Sequence, residues 1–574
     1  MRQVLSGHGA SRGNALGRAR LRLPHVLDVA EDRIDAAAVD AELARLHAAV
    51  ATVRSEMLAL RDRLHGALAH EVGEFIDMHT LLLDDPELLH GIEDLIRKGL
   101  YGANYALRLQ RDRLAGLFAG MDDAYFRNRI DDIDHVIGRL HAALHKRNAE
   151  VRGVAGEILV TDNVAPSELA QLQSQGVVAI VTTGGSALSH SAILARSLHL
   201  PLVVGAAQAL QQANDGDVLA VDGSSGLVVI EPSAADLREH RTRVRGEKRE
   251  RKQLHRLRRE PSRTLDGIDI RVYANAESRE DVAEAHALGA AGIGLYRTEF
   301  LFMGEELPDE EAQFRAYRDV ALGMTGRTVT IRTLDIGADK ADRTGLALSD
   351  EPNPALGLRG VRLSLARSGI FETQMRAIVR ASGYGPIRVL VPMVSSRDEI
   401  VAVAALLKRV RHDLASQGHE IAEHIPLGAM IEVPAAAISL PGFIDAVDFL
   451  SVGTNDLVQY LLAADRNNEA LGELYTPLHP ALLRLLESVI RIARRRARPV
   501  AVCGEMAGDA RFAPLLLALG LEEFSLHPGT LLELRHAIRA CDLGTLRARA
   551  PALLRARDRA AIEKWLQANT PMAS

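Results

Sequence analysis

From residue 268 onward, eight short apolar runs recur and each finishes on polar residues; no other feature of the chain constrains its fold as tightly. The runs are IRVYAN, GIGLYRTEF, TVTIRTLDIG, IRVLVPMV, LGAMIEVP, DFLSVGTND, PVAVCGEMAG and EEFSLHP, with helix-like stretches between them. Near-continuous runs of Val, Ile and Leu at this length read as strands buried on both faces, and the intervening helices supply the crossovers that parallel strands need. Eight such units in about 300 residues predict a (β/α)8 barrel. A barrel brings the carboxyl ends of its strands to one rim, the face where such folds place chemistry. The rim would gather Asn275, Arg297, Arg332 with Asp335, Glu432, Asn455 with Asp456, Cys503 with Glu505, and Ser525 with His527.

The upstream half has a different texture. Residues 35–147 read as nearly continuous helix, with breaks near 73, 102 and 120, and predict an all-helical domain. From Gly156 the runs EILVTD, GVVAIVTT, LPLVVG, DVLAVDG and GLVVIEP alternate with helical PSELAQLQ and SHSAILARSL, which predicts a compact α/β domain. Residues 233–260 are highly charged and free of aromatic residues, a solvated linker helix rather than a nucleic-acid patch. A chain of 574 residues exceeds what one core serves, so a multidomain α/β protein is expected.

Composition excludes several function classes. A net charge of -6, with 47% hydrophobic and 25% charged residues, fits a soluble globular protein and argues against general nucleic-acid binding. The opening MRQVLSGHGASRGNALG lacks the basic-then-apolar pattern of a secretory signal, and no apolar run approaches a membrane span, so a cytoplasmic protein without membrane partners is expected. The two cysteines, Cys503 and Cys541, are too few for a disulfide framework and have no metal-like spacing.

The rim residues suggest a chemistry. Glu432 and Asp456 are hard oxygen donors suited to Mg2+, although structural ion pairs would use the same residues. Arg297, Arg332 and Arg466 are permanent cations whose planar donor forks match phosphate and carboxylate oxygens, so a small phosphorylated acid is the expected ligand. Cys503 is either a proton donor or a buried inert thiol. In SVGTNDLVQYLLAADR, Asn455 and the helix-start N–H groups face an anion or form a plain turn and cap. In GSALSHSAILARSLHLP, His190 stands where a small-residue loop meets a helix predicted from about Ser191, with Ile193, Leu194 and Leu198 on its buried face. The free N–H groups there would hold an anion delivered to the imidazole, while a capping role fits the same position.

These segments together resemble a known family. DFLSVGTNDLVQYLLAADR, GLYRTEFLFM, TIRTLDIGADK, IEVPAAA, CGEMAGD and SHSAILARSLHLP are similar to enzyme I of the bacterial phosphoenolpyruvate:sugar phosphotransferase system. ASRGNALGRARL, MHTLLLDDPEL, DDAYFRNRIDDIDHVIGRL and APSELAQL carry the likeness through the upstream half. The resemblance implies a phosphohistidine α/β domain at 1–20 and 148–232, interrupted at 21–147 by a helical domain that docks the phosphocarrier, a linker helix at 233–260, and a dimerising barrel at 261–574. It implies that His190 takes the phosphoryl group of phosphoenolpyruvate and passes it to a histidine of the phosphocarrier protein HPr. Arg297, Arg332, Arg466 and Asn455 would hold the phosphoryl group, Arg359 would orient the substrate, Glu432 and Asp456 would hold Mg2+, and Cys503 would protonate the enolate to pyruvate. Asp77, Leu81, Leu82, Leu88 and Arg129 correspond to the carrier-docking face.

Two departures stand out. Ser186 and Leu188 occupy positions where the family's phosphohistidine pattern has glycine and threonine, and SLHPGTLLELR departs from a serine-rich strand end. Pyruvate phosphate dikinase and phosphoenolpyruvate synthase share the barrel and phosphohistidine motifs but need a nucleotide-binding domain, of which the sequence has no sign. A nitrogen-type regulatory branch, or a silent carrier-binding scaffold, is the alternative use of the same residues.

Overall fold

The computed structural model describes all residues except 1, 23–30, 64–75, 77, 78, 81, 84, 120–132, 134, 135, 142, 145–154, 165, 186–189, 199, 303–305, 338–350, 352, 466–470, 472, 473 and 571–574. The chain divides into two compact units, residues 1–249 and 250–574.

The first unit is built on one eight-stranded mixed sheet. Its strands are β1 (Gln3–Ser6), β2 (His8–Ser11), β3 (Asn14–Arg22), β4 (Glu157–Thr161), β5 (Ala179–Thr182), β6 (Leu202–Val204), β7 (Val218–Asp222) and β8 (Leu227–Ile230), in the order β1-β8-β7-β3-β4-β5-β6-β2. The central run β3-β4-β5-β6 is parallel, and the outer pairs are antiparallel. Alternation sends Ile158, Val160, Ala179 and Val181 into one core and Leu159, Ile180, Leu202 and Val204 into another. Both faces are therefore buried, which is why the sequence shows continuous apolar runs there instead of a polar face.

Helices Val39–Arg63, Pro86–Arg97 and Ala103–Ala119 fill the segment between β3 and β4. They bury Leu46, Val53, Met57, Ile92, Ile96 and Leu107. Pro86 needs no N–H at a helix start, and the Asp85 carboxylate accepts from the Glu87 N–H at 2.8 Å to cap that end. The break expected near 102 falls at Lys98–Gly102, where Leu100 takes a positive φ of 53°. The breaks expected near 73 and 120 lie outside the described residues.

The charged segment expected as a linker forms the helix Ala234–Arg256, and its residues are mostly exposed.

The second unit is a closed barrel of eight parallel strands, β9 (Arg271–Ala276), β10 (Gly292–Tyr296), β11 (Thr328–Arg332), β12 (Ile387–Val391), β13 (Leu427–Ile431), β14 (Phe449–Val452), β15 (Val500–Val502) and β16 (Glu523–Leu526). The last strand pairs back onto β9 from Glu523–Arg271 to Leu526–Ala274. All eight apolar runs picked out in the sequence supply one strand each. Alternate side chains Leu295, Leu390, Met430 and Phe449 form a small cluster with Cys503, while Ile293, Val389, Ala429 and Leu450 join the large core shared with the surrounding helices. Toward the amino ends of the strands, the Arg388 guanidinium lies over the rings of Phe449 and Tyr273 at 4.4 and 5.5 Å and donates to Thr330.

Candidate active site

The polar strand ends converge as the repeat predicts. Arg332 closes β11 and is largely buried, with its Nη2 3.0 Å from Glu299 and its Nη1 3.0 Å from Asp335. Arg359, from the loop after β11, grips the same Asp335 carboxylate at 3.2 Å and lies 3.6 Å from Asp456. Its Nη1 also donates to the Tyr460 hydroxyl at 3.3 Å, and that hydroxyl donates to the Ala355 carbonyl at 2.5 Å. Burial works against the charge on both arginines, yet the facing carboxylates more than offset it and raise both pKa values further. They remain cations at every accessible pH. Arg297, after β10, is more exposed and pairs with Glu277.

Glu432 follows β13 and is almost wholly buried; it accepts the Met393 N–H at 2.6 Å. Met393 holds a positive φ of 55° to present that N–H, and the neighbouring chain must be Gly360, whose added Cβ would lie 2.7 Å from the Met393 Cβ. Burial, followed by the charges of Asp335 and Asp456, raises the Glu432 pKa above the ordinary carboxylate range. Glu299, Asp335, Glu432 and Asp456 thus set four carboxyl groups against the two guanidinium groups of Arg332 and Arg359. Among these six groups the acids outnumber the bases.

Asn455 and Asp456 lie in the first turn of the helix Thr454–Leu462 that follows β14. Asn455 is fixed from both ends of its amide, donating to Glu505 at 3.1 Å and accepting the Glu505 N–H at 2.9 Å. Asp456 is buried, and its Oδ1 accepts no hydrogen bond, the nearest cation being the Arg359 Nη1 at 3.6 Å. A buried acceptor with no hydrogen bond costs free energy, which the Arg359 charge offsets only across that longer distance. Two glycines allow the approach: a Cβ on Gly453 would stand 2.7 Å from Glu432 Oε2, and one on Gly504 would stand 2.0 Å from Thr454 Oγ1.

Cys503 follows β15, buried among Leu295, Leu390, Met430 and Phe449, with its Sγ 3.5 Å from the Val452 carbonyl oxygen. Burial pushes its thiol up to about 11, with Glu432 acting in the same direction, so the sulfur keeps its proton at neutral pH. The thiol is thus both buried and protonated, with the charges of Glu432, Arg332 and Arg297 acting on it. Asn275 donates to the Cys503 carbonyl at 3.1 Å and accepts from Ser525 at 2.6 Å, which ties three strand ends together. His527 accepts the Gly529 N–H at 3.2 Å in a local turn.

In the first unit, His190 is the first residue of the helix His190–Ser197. The helix is held by the Ser191 hydroxyl donating to the Val164 carbonyl at 2.7 Å and by burial of Ala192, Leu194, Ala195 and Leu198. It starts one residue earlier than the periodicity indicates, and the side chains of His190 and Ile193 lie outside the described residues. So do Arg466 and, in the helical region, Asp77, Leu81 and Arg129; Leu88 is buried and Leu82 half-buried against the same core.

Glu299, Tyr460 and the Met393 N–H had no signal of their own in the sequence. Each matters only through a contact made across the barrel rim.

Three family models match the chain: the PEP-binding domain of PEP-utilising enzymes over residues 251–543, their N-terminal domain over 6–129, and their mobile domain over 153–226. A phosphoenolpyruvate-protein phosphotransferase from Cupriavidus necator is 44% identical over 93% of this chain and 94% of its own length. Those from Geobacillus stearothermophilus and Enterococcus faecalis are 42% and 38% identical, each covering at least 92% of both chains. The chain belongs to the phosphoenolpyruvate-protein phosphotransferase family. As a member of that family it is a transferase that moves a phosphoryl group from phosphoenolpyruvate to protein.

A divalent metal accompanies this phosphotransferase chemistry. Among the described residues, no group of three or more His, Cys, Asp and Glu is arranged to hold a metal by itself, and no helix is long and apolar enough to cross a membrane.

Proposed function

We propose that the barrel rim binds phosphoenolpyruvate, that its phosphoryl group passes to Nε2 of His190, and that His190 hands it to a histidine of the phosphocarrier protein HPr. The observation that carries this reading is the pair Arg332 and Arg359 fixed on Asp335, with Glu432, Asp456 and Cys503 on the neighbouring strand ends. Arg297, Arg332, Arg466 and Asn455 bind the phosphoryl oxygens, and Arg359 orients the substrate. Rigid guanidinium forks suit this work because phosphoryl transfer is catalysed mainly by positioning and charge stabilisation.

The neutral imidazole of His190 attacks phosphorus, the bridging P–O bond breaks, and its electron pair stays on the enolate oxygen. Cys503 then gives its proton to the methylene carbon, pyruvate leaves, and solvent restores the thiol. A thiol with a pKa near 11 is in the acid form needed for that step.

Glu432 and Asp456 would hold Mg2+, a hard cation that takes one or two protein carboxylates and completes its shell with water and substrate oxygens. The proximity of the Asp335 and Asp456 charges to Glu432, which helps raise its pKa, and the absence of a hydrogen bond to Asp456 Oδ1 fit such an ion. When bound, it neutralises charge on the substrate oxygens.

The α/β residues 1–20 and 148–232, the first piece carried on to Arg22 by β3, form the phosphohistidine domain in this reading, the residues between them up to 147 dock HPr, and 261–574 dimerise, all in the cytoplasm. The test uses labelled phosphoenolpyruvate with Mg2+. The intact chain is expected to take up acid-labile, base-stable label that is absent from His190→Ala; label on folded H190A, or none on the intact chain, overturns the proposal.

A further inference from the structure

Behind the arginine cluster lies a buried hydrogen-bond relay that touches none of the reacting groups. Gln374, on the helix Ser368–Ala381, is 1% exposed. Its Oε1 accepts the Leu334 N–H at 2.9 Å, and its Nε2 donates to the hydroxyls of Thr298 and Tyr317, each at 3.2 Å. Thr298 in turn donates to the Arg332 carbonyl at 3.0 Å, and Tyr317 donates to Gln313 Oε1 at 3.1 Å. Thr298, Tyr317 and Gln313 are all fully buried.

The direction of every bond is fixed. Each hydroxyl receives one N–H from Gln374 and has one proton left, which it gives to an acceptor that has none to offer. The register between β10 and β11 runs out at Tyr296 and Ile331, one residue short of Arg332. Beyond that point Thr298 and Gln374 hold the two strand ends, with Glu299 Oε1 accepting the Asp335 N–H at 3.0 Å on the other side. The segments they fix, 297–299 and 332–335, carry Arg297, Glu299, Arg332 and Asp335.

We infer that Thr298 and Gln374 are positioning residues for phosphoryl transfer, setting the backbone on which Arg332 and Asp335 are aimed. This rests on the reading of the rim as the phosphoenolpyruvate site. The physical reason is that an arginine clamp works in the transition state only if its fork is held to within a fraction of an ångström, and a small misplacement costs about 100-fold in rate.

The experiment compares the full chain with Thr298→Val, Thr298→Ser and Gln374→Met. Valine keeps the shape of threonine and removes the hydroxyl, while serine keeps the hydroxyl and removes a methyl. Two rates are read for each protein: labelling from phosphoenolpyruvate over a range of concentrations, and back-labelling of His190 from phosphorylated HPr, which does not use the barrel.

T298V and Q374M are expected to lose about 10- to 100-fold in labelling rate at saturating phosphoenolpyruvate, with half-saturation changed less than about threefold. T298S is expected to recover to within about threefold of the intact chain, and back-labelling to be unchanged in all three. A merely structural role would instead leave T298S as impaired as T298V, and that result overturns the inference. So does wild-type labelling by T298V, or a loss of back-labelling equal to the loss of forward labelling. If Q374M does not fold, the valine and serine pair still decides. Failure of the intact chain to label from phosphoenolpyruvate overturns the rim reading itself and is distinguishable from these outcomes.

Discussion

Arg332 and Arg359 share one carboxylate: the oxygens of Asp335 lie 3.0 Å from the first guanidinium and 3.2 Å from the second. Two largely buried cations are thereby held side by side at the mouth of the barrel. Removing the shared anion leaves Arg332 only Glu299, at 3.0 Å, and Arg359 only Asp456, at 3.6 Å. Asp335→Asn is expected to lower stability by about 3–5 kcal/mol, the usual cost of breaking a buried ion pair from one side. Phosphoenolpyruvate or inorganic phosphate should raise the melting temperature of D335N by more than that of the intact chain, because an added anion replaces the lost charge. Thermal unfolding with and without ligand measures both effects.

Cys503 acts as an acid only while it keeps its proton. Cys503→Ala is expected to slow pyruvate formation by about 100-fold or more, whereas wild-type turnover should show no thiol ionisation step below pH 9. Pyruvate release, followed by a coupled reductase over pH 6–10, checks this. Pyruvate formation at the intact rate in C503A would remove the acid role.

The same thiol makes a stability prediction, together with Cys541, which burial also pushes up to about 11 from an ordinary 9.0. A folded pKa raised above the unfolded value means that the stabilisation is fully present below about pH 9 and is lost as pH rises toward 11. Chemical denaturation midpoints should therefore fall between pH 9 and 11, and Cys541→Ala should flatten part of that slope.

Gly504 lets the start of one helix pass close to another strand end. An added Cβ would lie 2.0 Å from Thr454 Oγ1 and 2.8 Å from Asn455 Oδ1, both in the turn that carries Asp456. Gly504→Ala is expected to cost about 1–3 kcal/mol through overpacking, and to reduce phosphoenolpyruvate-dependent labelling more than it reduces back-labelling from phosphorylated HPr. Melting temperature and the two labelling rates test it.

Loss of metal should abolish forward labelling alone. Chelation is expected to stop labelling from phosphoenolpyruvate and Mg2+ to restore it, while Asp456→Asn should need a higher Mg2+ concentration for half-maximal rate. An unchanged Mg2+ requirement in D456N would place the ion elsewhere.

The amino-acid sequence by itself determined the barrel, because eight apolar runs buried on both faces, each closed by polar residues, have few other ways to hide their surface while pairing their backbones. It also placed His190 at a helix start, since periodicity and burial there are local properties of the chain. What only the tertiary structure decided is how the rim residues bear on one another. Asp335 and Glu299 were visible as polar letters, but their service as anchors for Arg332 depends on distances between separate strands. The protonated state of Cys503 likewise comes from burial and from Glu432, which is far away in the chain. Gln374 sits in an ordinary amphipathic helix whose sequence gives no hint of the hydroxyls it meets. Secondary structure is written in near neighbours, whereas charge balance and hydrogen-bond direction belong to groups that only folding brings together.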